Sequence, residues 1–313
     1  MARLGVMAHF DPDGSLGPHA QRQVAALAAS VDDLVVVSTS NLTAAAREFL
    51  GSQARLIERP NVGYDFLSYK VGLESADLSA YDEVTICNDS YVGPLTDYAV
   101  IFDQMSSKQV DFWGLTETDR VSHHVQSFFI TFRPRVLSST EFGVFWSEVV
   151  PLSSRYKVIR RYEVGLSRRL YAAGFTSAPF FVESDEDRRM ARRRVRWWAL
   201  RRSGVPTTRA AVAQLRERSR EPWNPSLGLA DRALDAGRLP YVKIDTLRYD
   251  PYDLGADRLL TLCEQRFPGA FGGVRDFLQA TAHHYPQRPN ERLPELPRAL
   301  RPARRFVEYR SVG

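Results

Sequence analysis

Between Arg59 and Pro94 the chain reads as a turn, a helix, a buried strand and then a short polar triplet just past the strand's carboxyl end. Asn61 and Gly63 are turn-forming types, and Asp65 is placed to cap a helix that turns Leu67, Val71 and Leu73 inward. Val84-Thr85-Ile86-Cys87 is short, apolar and β-branched, which suits a strand covered on both faces. In an open α/β sheet ligands sit outside the carboxyl ends of the strands, where Asn88-Asp89-Ser90 emerges. A carboxylate there, flanked by short polar side chains, can hold a hard divalent cation, Mg²⁺ or Mn²⁺, against a diphosphate. The stretch therefore points to a nucleotide-sugar site with Asp89 as metal ligand.

The flanking sequence supports a mostly parallel sheet. Strands are expected over Leu4–Phe10, Leu34–Ser38, Ala54–Glu58 and Val110–Leu115, with helices through Ala29, over Thr43–Leu50 and over Tyr98–Met105. Past Leu115 the alternation breaks: an aromatic strand over Gln126–Phe132, an apolar segment Phe142–Val150, a helix Arg160–Ala173 closed by Gly174, and a strand Phe175–Val182. The acidic run Glu183–Asp187 marks the expected end of a first unit, giving residues 1–184 and a basic helical region 185–313 with a loosely packed Pro/Arg-rich tail from Arg288.

At 44% hydrophobic and 25% charged, the chain is a globular protein rather than a disordered one. Its two cysteines, Cys87 and Cys263, give neither a disulfide framework nor metal spacing, and a reducing, cytoplasmic setting is expected. No uncharged apolar run reaches the roughly 20 residues a bilayer span needs. Most of the excess positive charge lies after residue 185. Residues 188–202 interleave arginines with Trp197, Trp198 and Leu200, which reads either as a solvated helix or as one lying on the anionic inner face of the plasma membrane. Nucleic-acid binding is not expected, because no recognised motif is present.

Glycosyl transfer needs a diphosphate clamp, a nucleotide contact, an acceptor pocket and, for inversion, a base for the acceptor hydroxyl. The loops after the first two strands, with His9, Phe10, Asp11 and Asn41, are expected to shape the donor pocket together with Asn61, Gly63, Asp65, Asn88 and Ser90. Lys70 adds a cationic contact to the phosphates. Trp113, Glu117, His124 and Gln126 are assigned to the acceptor side, where an aromatic face packs on a pyranose and polar groups bond its hydroxyls.

Taken together, Arg59-Pro60-Asn61-Val62-Gly63-Tyr64-Asp65-Phe66, Asn88-Asp89-Ser90 with Gly93-Pro94, His124-Val125-Gln126-Ser127-Phe128-Phe129 and Asn224-Pro225-Ser226 resemble the rhamnan-synthesis protein F family, over roughly Leu4 to Tyr249. The resemblance implies a glycosyltransferase building rhamnose-rich cell-surface polysaccharide, a nucleoside-diphosphate sugar donor such as dTDP-L-rhamnose, and a glycan acceptor, lipid-linked in one version. A more distant similarity is to inverting GT-A glycosyltransferases. There a strand ends in Asp-x-Asp, and an acidic pair later opens a helix that closes on Ala-Gly. Asn88-Asp89-Ser90 keeps one of the two carboxylates, and Tyr162-Glu163 keeps one acid of the pair, so the similarity implies Glu163 as general base. The fold expected is α/β and GT-A-like, a mostly parallel central sheet with flanking helices plus the basic helical region. Two alternatives stay open: a transferase for another sugar, and a non-catalytic carbohydrate- or membrane-binding partner of a polysaccharide assembly.

Overall fold

The computed structural model describes residues 1–204, 206–235, 237–286, 293, 298 and 301–310. Its centre is a seven-stranded sheet built from β1 (Arg3–His9), β2 (Asp33–Ser38), β3 (Arg55–Glu58), β4 (Glu83–Asn88), β6 (Phe112–Gly114), β9 (Phe129–Phe132) and β10 (Ser177–Pro179), in the order β10-β6-β9-β4-β1-β2-β3. All neighbours run parallel except β9, which is antiparallel to both β4 and β6. Two small antiparallel pairs stand apart: β5 (Tyr91–Val92) with β11 (Val242–Lys243), and β7 (Glu117–Thr118) with β8 (His124–Val125). This is the mostly parallel, GT-A-like sheet expected.

Because successive strand residues point to opposite faces, β1 sends Val6 and Ala8 to one core and Met7 to the other. On Met7's side lie α1 (Pro18–Ala28), α2 (Ala44–Gln53) and α4 (Tyr98–Ser106). Opposite them α3 (Tyr64–Glu74) packs with α6 (Thr140–Ser147), after the short α5 (Pro134–Leu137), and with α8 (Val164–Ala172), after the short α7 (Arg155–Val158). Gly72 lets α3 approach β1 closely, since a Cβ there would stand 2.3 Å from Val6 Cγ1.

Four local expectations are corrected. The cap of α3 is Gly63, left-handed at φ 81, and the Asp65 carboxylate instead accepts from Asn88. Two strands are shorter than read: residues 126–132 pair only from Phe129, and residues 175–182 only over Ser177–Pro179. The helix expected over 160–173 begins as a π-helical turn, Ile159–Glu163, and is α-helical only from Val164, which places Glu163 at the start of α8.

After Ser184, which opens a capping box with Asp187, comes α9 (Asp185–Ser203), followed by α10 (Arg209–Arg218), α11 (Pro225–Gly228), α12 (Ile244–Tyr249), α13 (Ala256–Arg266), α14 (Pro268–Phe271) and α15 (Val274–Ala280). Ala191, Val195, Trp197, Leu229 and Leu259 share one apolar cluster with Met7, Val24 and Val36, so the core runs continuously across residue 184. Trp197 is 5% exposed and donates to the Asp253 carbonyl, which removes it from any membrane-facing role, while Trp198 packs on Tyr252. Much of the expected tail lies outside the described residues, but Val307 and Tyr309 are buried, contrary to loose packing. No described helix is long and apolar enough to cross a membrane.

Candidate active site

The register Ala8↔Asn88 sets the loops after β1 and β4 side by side at the carboxyl edge of the sheet. There the Phe10 N–H donates to Asp89 Oδ2 at 3.0 Å, and His9 Nε2 lies 3.9 Å from the same oxygen. A polar chain leads on from this point. Asn88 Nδ2 donates to Asp65 at 2.8 Å, Ser90 Oγ donates to Asn88 Oδ1 at 2.5 Å, and Lys243 Nζ donates to Ser90 Oγ at 2.5 Å. The Lys243 ammonium also stands 3.8 Å from the centre of the Phe128 ring.

The facing wall comes from the C-terminal region: Ile244, Asp245, Arg248, Phe277 and Tyr285 close a cleft with His9, Phe10, Asp11, Asp65, Asn88, Asp89 and Ser90. Its volume is about 180 Å³, below the roughly 300–1,000 Å³ usual for small-molecule sites, so a nucleotide sugar needs the two walls to part. Larger hollows of about 680 and 550 Å³ lie between α6 and α8 and at the amino ends of β1 to β3. Neither is at the strand ends where α/β sheets gather ligands.

Burial, with Asp65 and Asp11 nearby, raises the Asp89 carboxyl to about 7. Burial likewise raises Asp65 and lowers His9 to about 4, leaving that imidazole neutral. Lys243 is lowered to about 8 by burial, against the pull of Asp245, Glu163 and Asp65. Asp65 and Lys243 are each within electrostatic reach of Glu163, and Asp65 is within reach of Asp89.

Glu163 has 19% of its side chain exposed, as does Asp89. One Glu163 oxygen lies 3.1 Å from His124 Nε2 and the other accepts from Ser127 Oγ at 2.8 Å. His124 Nδ1 donates to the Ser122 carbonyl at 2.8 Å, so Nε2 can donate to Glu163 only in the imidazolium form. The pKa directions agree. Burial would lower His124 and raise Glu163, but their pairing reverses both, holding His124 above 6.5 and Glu163 below 4.5.

Other residues named from the sequence lie elsewhere. Asn41 and Asn61 are exposed and do not line the cleft. Gly63 packs against Leu67 and Pro151. Lys70 donates to the carbonyls of Ser147 and Val149, which ties α3 to the end of α6. Trp113 is in the core at 0% exposure. Gln126 accepts from Thr116 and Ser226 in a buried network with Tyr241, and Glu117 bonds Ser177 Oγ. The sequence reading missed Lys243, Asp245, Arg248, Tyr285 and Ser127. Nothing in the spacing of Lys243 ties it to a serine 153 positions away.

Among the described residues, one group of three potential metal ligands converges, Asp13, His283 and His284, with ligand atoms within 4.8 Å of one another. Asp89 is outside it.

The family model described as rhamnan synthesis protein F matches residues 34–197. The chain belongs to the rhamnan synthesis protein F family. Two relatives are "Uncharacterized protein y4gN" of Sinorhizobium fredii, 26% identical over 159 residues (49% of this chain, 42% of the relative), and "Virulence protein VirA" of Vibrio anguillarum, 38% identical over 80 residues (24% and 25%). The chain therefore spans less than half the length of these relatives. Among solved structures, glucosyl-3-phosphoglycerate synthase from Mycobacterium tuberculosis is similar at 13% identity and TM-score 0.37, covering 72% of this chain and 82% of that one. A putative nucleotide-diphospho-sugar transferase from Desulfovibrio desulfuricans G20 is similar at 16% identity and TM-score 0.36, covering 69% and 95%. Neither likeness bears on chemistry.

Proposed function

We propose that this family member is an inverting glycosyltransferase that moves a sugar, rhamnose from dTDP-L-rhamnose in the reading favoured by the family, onto a growing cell-surface glycan. The observation that carries the proposal is the run of Asp89, Asp65, Lys243 and Glu163 from the carboxyl ends of β1 and β4 toward α8. It brings together a carboxylate suited to a cation, a buried ammonium and a second carboxylate, Asp89 coupled electrostatically to Asp65, and Asp65 and Lys243 to Glu163.

In this reading Asp89 takes Mg²⁺ or Mn²⁺, which neutralises charge on the departing diphosphate. The residues present fit such an ion, because Asp89 is a partly buried carboxylate beside Asp65 and Asp11, where a cation relieves like-charge crowding. Arg248 adds positive charge on the facing wall and Lys243 adds it beside Ser90, the part first given to Lys70. Glu163 takes the proton of the acceptor hydroxyl, and Ser127 and His124 fix its orientation.

A thermal-shift panel of nucleoside-diphosphate sugars, with and without Mn²⁺, tests this, since a ligand bound only by the folded form raises Tm. The expected result is a metal-dependent rise with dTDP-L-rhamnose. A flat panel would leave the non-catalytic partner as the reading to adopt.

An acceptor carried on lipid would bring the protein to an anionic surface. With Trp197 inside, that contact falls to the exposed arginine row Arg189, Arg192, Arg193 and Arg196 on α9. A triple Arg192→Glu, Arg193→Glu, Arg196→Glu variant should bind anionic vesicles more weakly by at least about 3 kcal/mol, each basic residue near such a surface being worth roughly 1 kcal/mol. Equal sedimentation of both proteins would remove the row from the contact.

A further inference from the structure

Asp13 and the His283-His284 pair are distant in sequence but meet at the rim of the cleft. His284 Nε2 lies 2.7 Å from Asp13 Oδ1, and the two imidazole rings are 3.8 Å apart between centroids. His283 Nδ1 donates to the Ala280 carbonyl at 3.0 Å. That bond fixes the tautomer and leaves Nε2 with its lone pair free, the arrangement a metal-bound histidine uses. An ion pair with Asp13 needs only one histidine. The second, held alongside by its own backbone bond, gives the cluster two nitrogen donors and one carboxylate.

We propose that Asp13, His283 and His284 bind a divalent transition metal of the Zn²⁺ class, with its remaining coordination position open to water. Two imidazoles and a carboxylate suit Zn²⁺, Co²⁺ or Ni²⁺, whereas Mg²⁺ and Ca²⁺ prefer oxygen alone. With bonds of about 2.0–2.1 Å, tetrahedral ligands sit roughly 3.3 Å from one another, so the present atoms must close in by about 1.5 Å at most. All three side chains are exposed and have room to do so.

The ion would brace the two walls of the cleft. Asp13 belongs to the loop after β1, where its N–H donates to Asp11, a lining residue. His283 and His284 directly precede Tyr285 and follow α15, which carries Phe277, both of which line the opposite wall. A metal at the rim thus fixes how far those walls can part. The binding itself does not depend on the glycosyltransferase reading, and its test uses no sugar.

The full chain, freed of metal with EDTA and dialysed, is titrated with Co²⁺ and followed by its visible absorption, then challenged with Zn²⁺. The expected result is one Co²⁺ per chain, displaced by Zn²⁺, with slower deuterium uptake in residues 11–15 and 274–285 when Zn²⁺ is present. His283→Ala keeps the His284–Asp13 bond and should weaken Co²⁺ binding by more than about 100-fold, beyond the 10–100-fold typical of outer-shell partners. Asp89→Asn should leave it unchanged. Absence of stoichiometric binding, undiminished affinity in His283→Ala, or loss of binding in Asp89→Asn overturns the site. Unchanged deuterium uptake overturns the brace.

Discussion

Glu163→Gln should lower turnover by about 10²–10⁴-fold, the range a positioned general base supplies. Donor affinity, read from the thermal shift with nucleotide sugar, should hardly change, because the amide keeps the size of the carboxylate and does not line the donor cleft. The His124 pairing adds a pH signature. Glu163 is held below 4.5 mainly because His124 and Ser127 outweigh its burial, with Lys243 contributing. The groups facing the pair are Ser122, Ser127, Asp65, Lys243, Arg155 and Asp119. Removing the imidazolium in His124→Asn lets burial and Asp65 raise Glu163, so the acid limb of the kcat profile should move to higher pH. A merely structural His124 would change the amplitude and leave that limb in place. The sign for stability follows from the same directions. Glu163's share is lost as pH falls through its lowered value, and His124's share is lost as pH rises through its raised one, so the pair stabilises most between 4.5 and 6.5. An unchanged turnover in Glu163→Gln takes Glu163 out of the reaction.

The strands of this sheet were legible because each carries its own signal. Val84-Thr85-Ile86-Cys87 and the run Leu34 to Ser38 are mostly apolar and β-branched, as suits strands buried on both faces, and the loops after them are short and polar. The side chains around Asp89 followed from the same rule, since the carboxyl end of a parallel strand is fixed once the strand is. What the sequence hid depends on distant partners. Lys70 looked free for phosphate, but the carbonyls that hold it belong to the end of α6, about 80 residues on. The opposite wall draws on α12 and α15, six and seven residues long and too short to show a helical period, and the strand supplying Lys243 is two residues long. The arginine helix misled in a related way: its arginines read together as one cationic face, yet one of them is among the most buried side chains in the molecule.

That arginine is the source of the largest expected effect on stability. Arg194 is 1% exposed, and all five of its N–H donors have partners: Nε donates to the Val307 carbonyl, Nη1 to the Gly228 carbonyl and Asp231 Oδ1, and Nη2 to Asp231 Oδ2 and the Glu308 carbonyl. One side chain thereby joins α9, the end of α11 and the C-terminal residues. Arg194→Met keeps most of the packed volume but leaves Asp231, 2% exposed, without its cation and three carbonyls without a donor. Breaking one partner from a buried pair costs about 3–5 kcal/mol, most of it the uncompensated charge. Urea unfolding should show that loss as a lower midpoint. Arg194→Met with Asp231→Leu should recover part of it, because the stranded carboxylate goes as well, and the coupling from the cycle should exceed the few tenths of a kcal/mol found between independent sites. The alternative is that water reaches Asp231 once the guanidinium is gone. In that case the single variant costs less than about 1 kcal/mol, as at an exposed pair, and the double variant recovers nothing. The first outcome makes Arg194 the clasp that fixes the C-terminal residues to α9; the second makes the surrounding apolar cluster of Val195, Trp197, Leu229 and Tyr309 sufficient on its own.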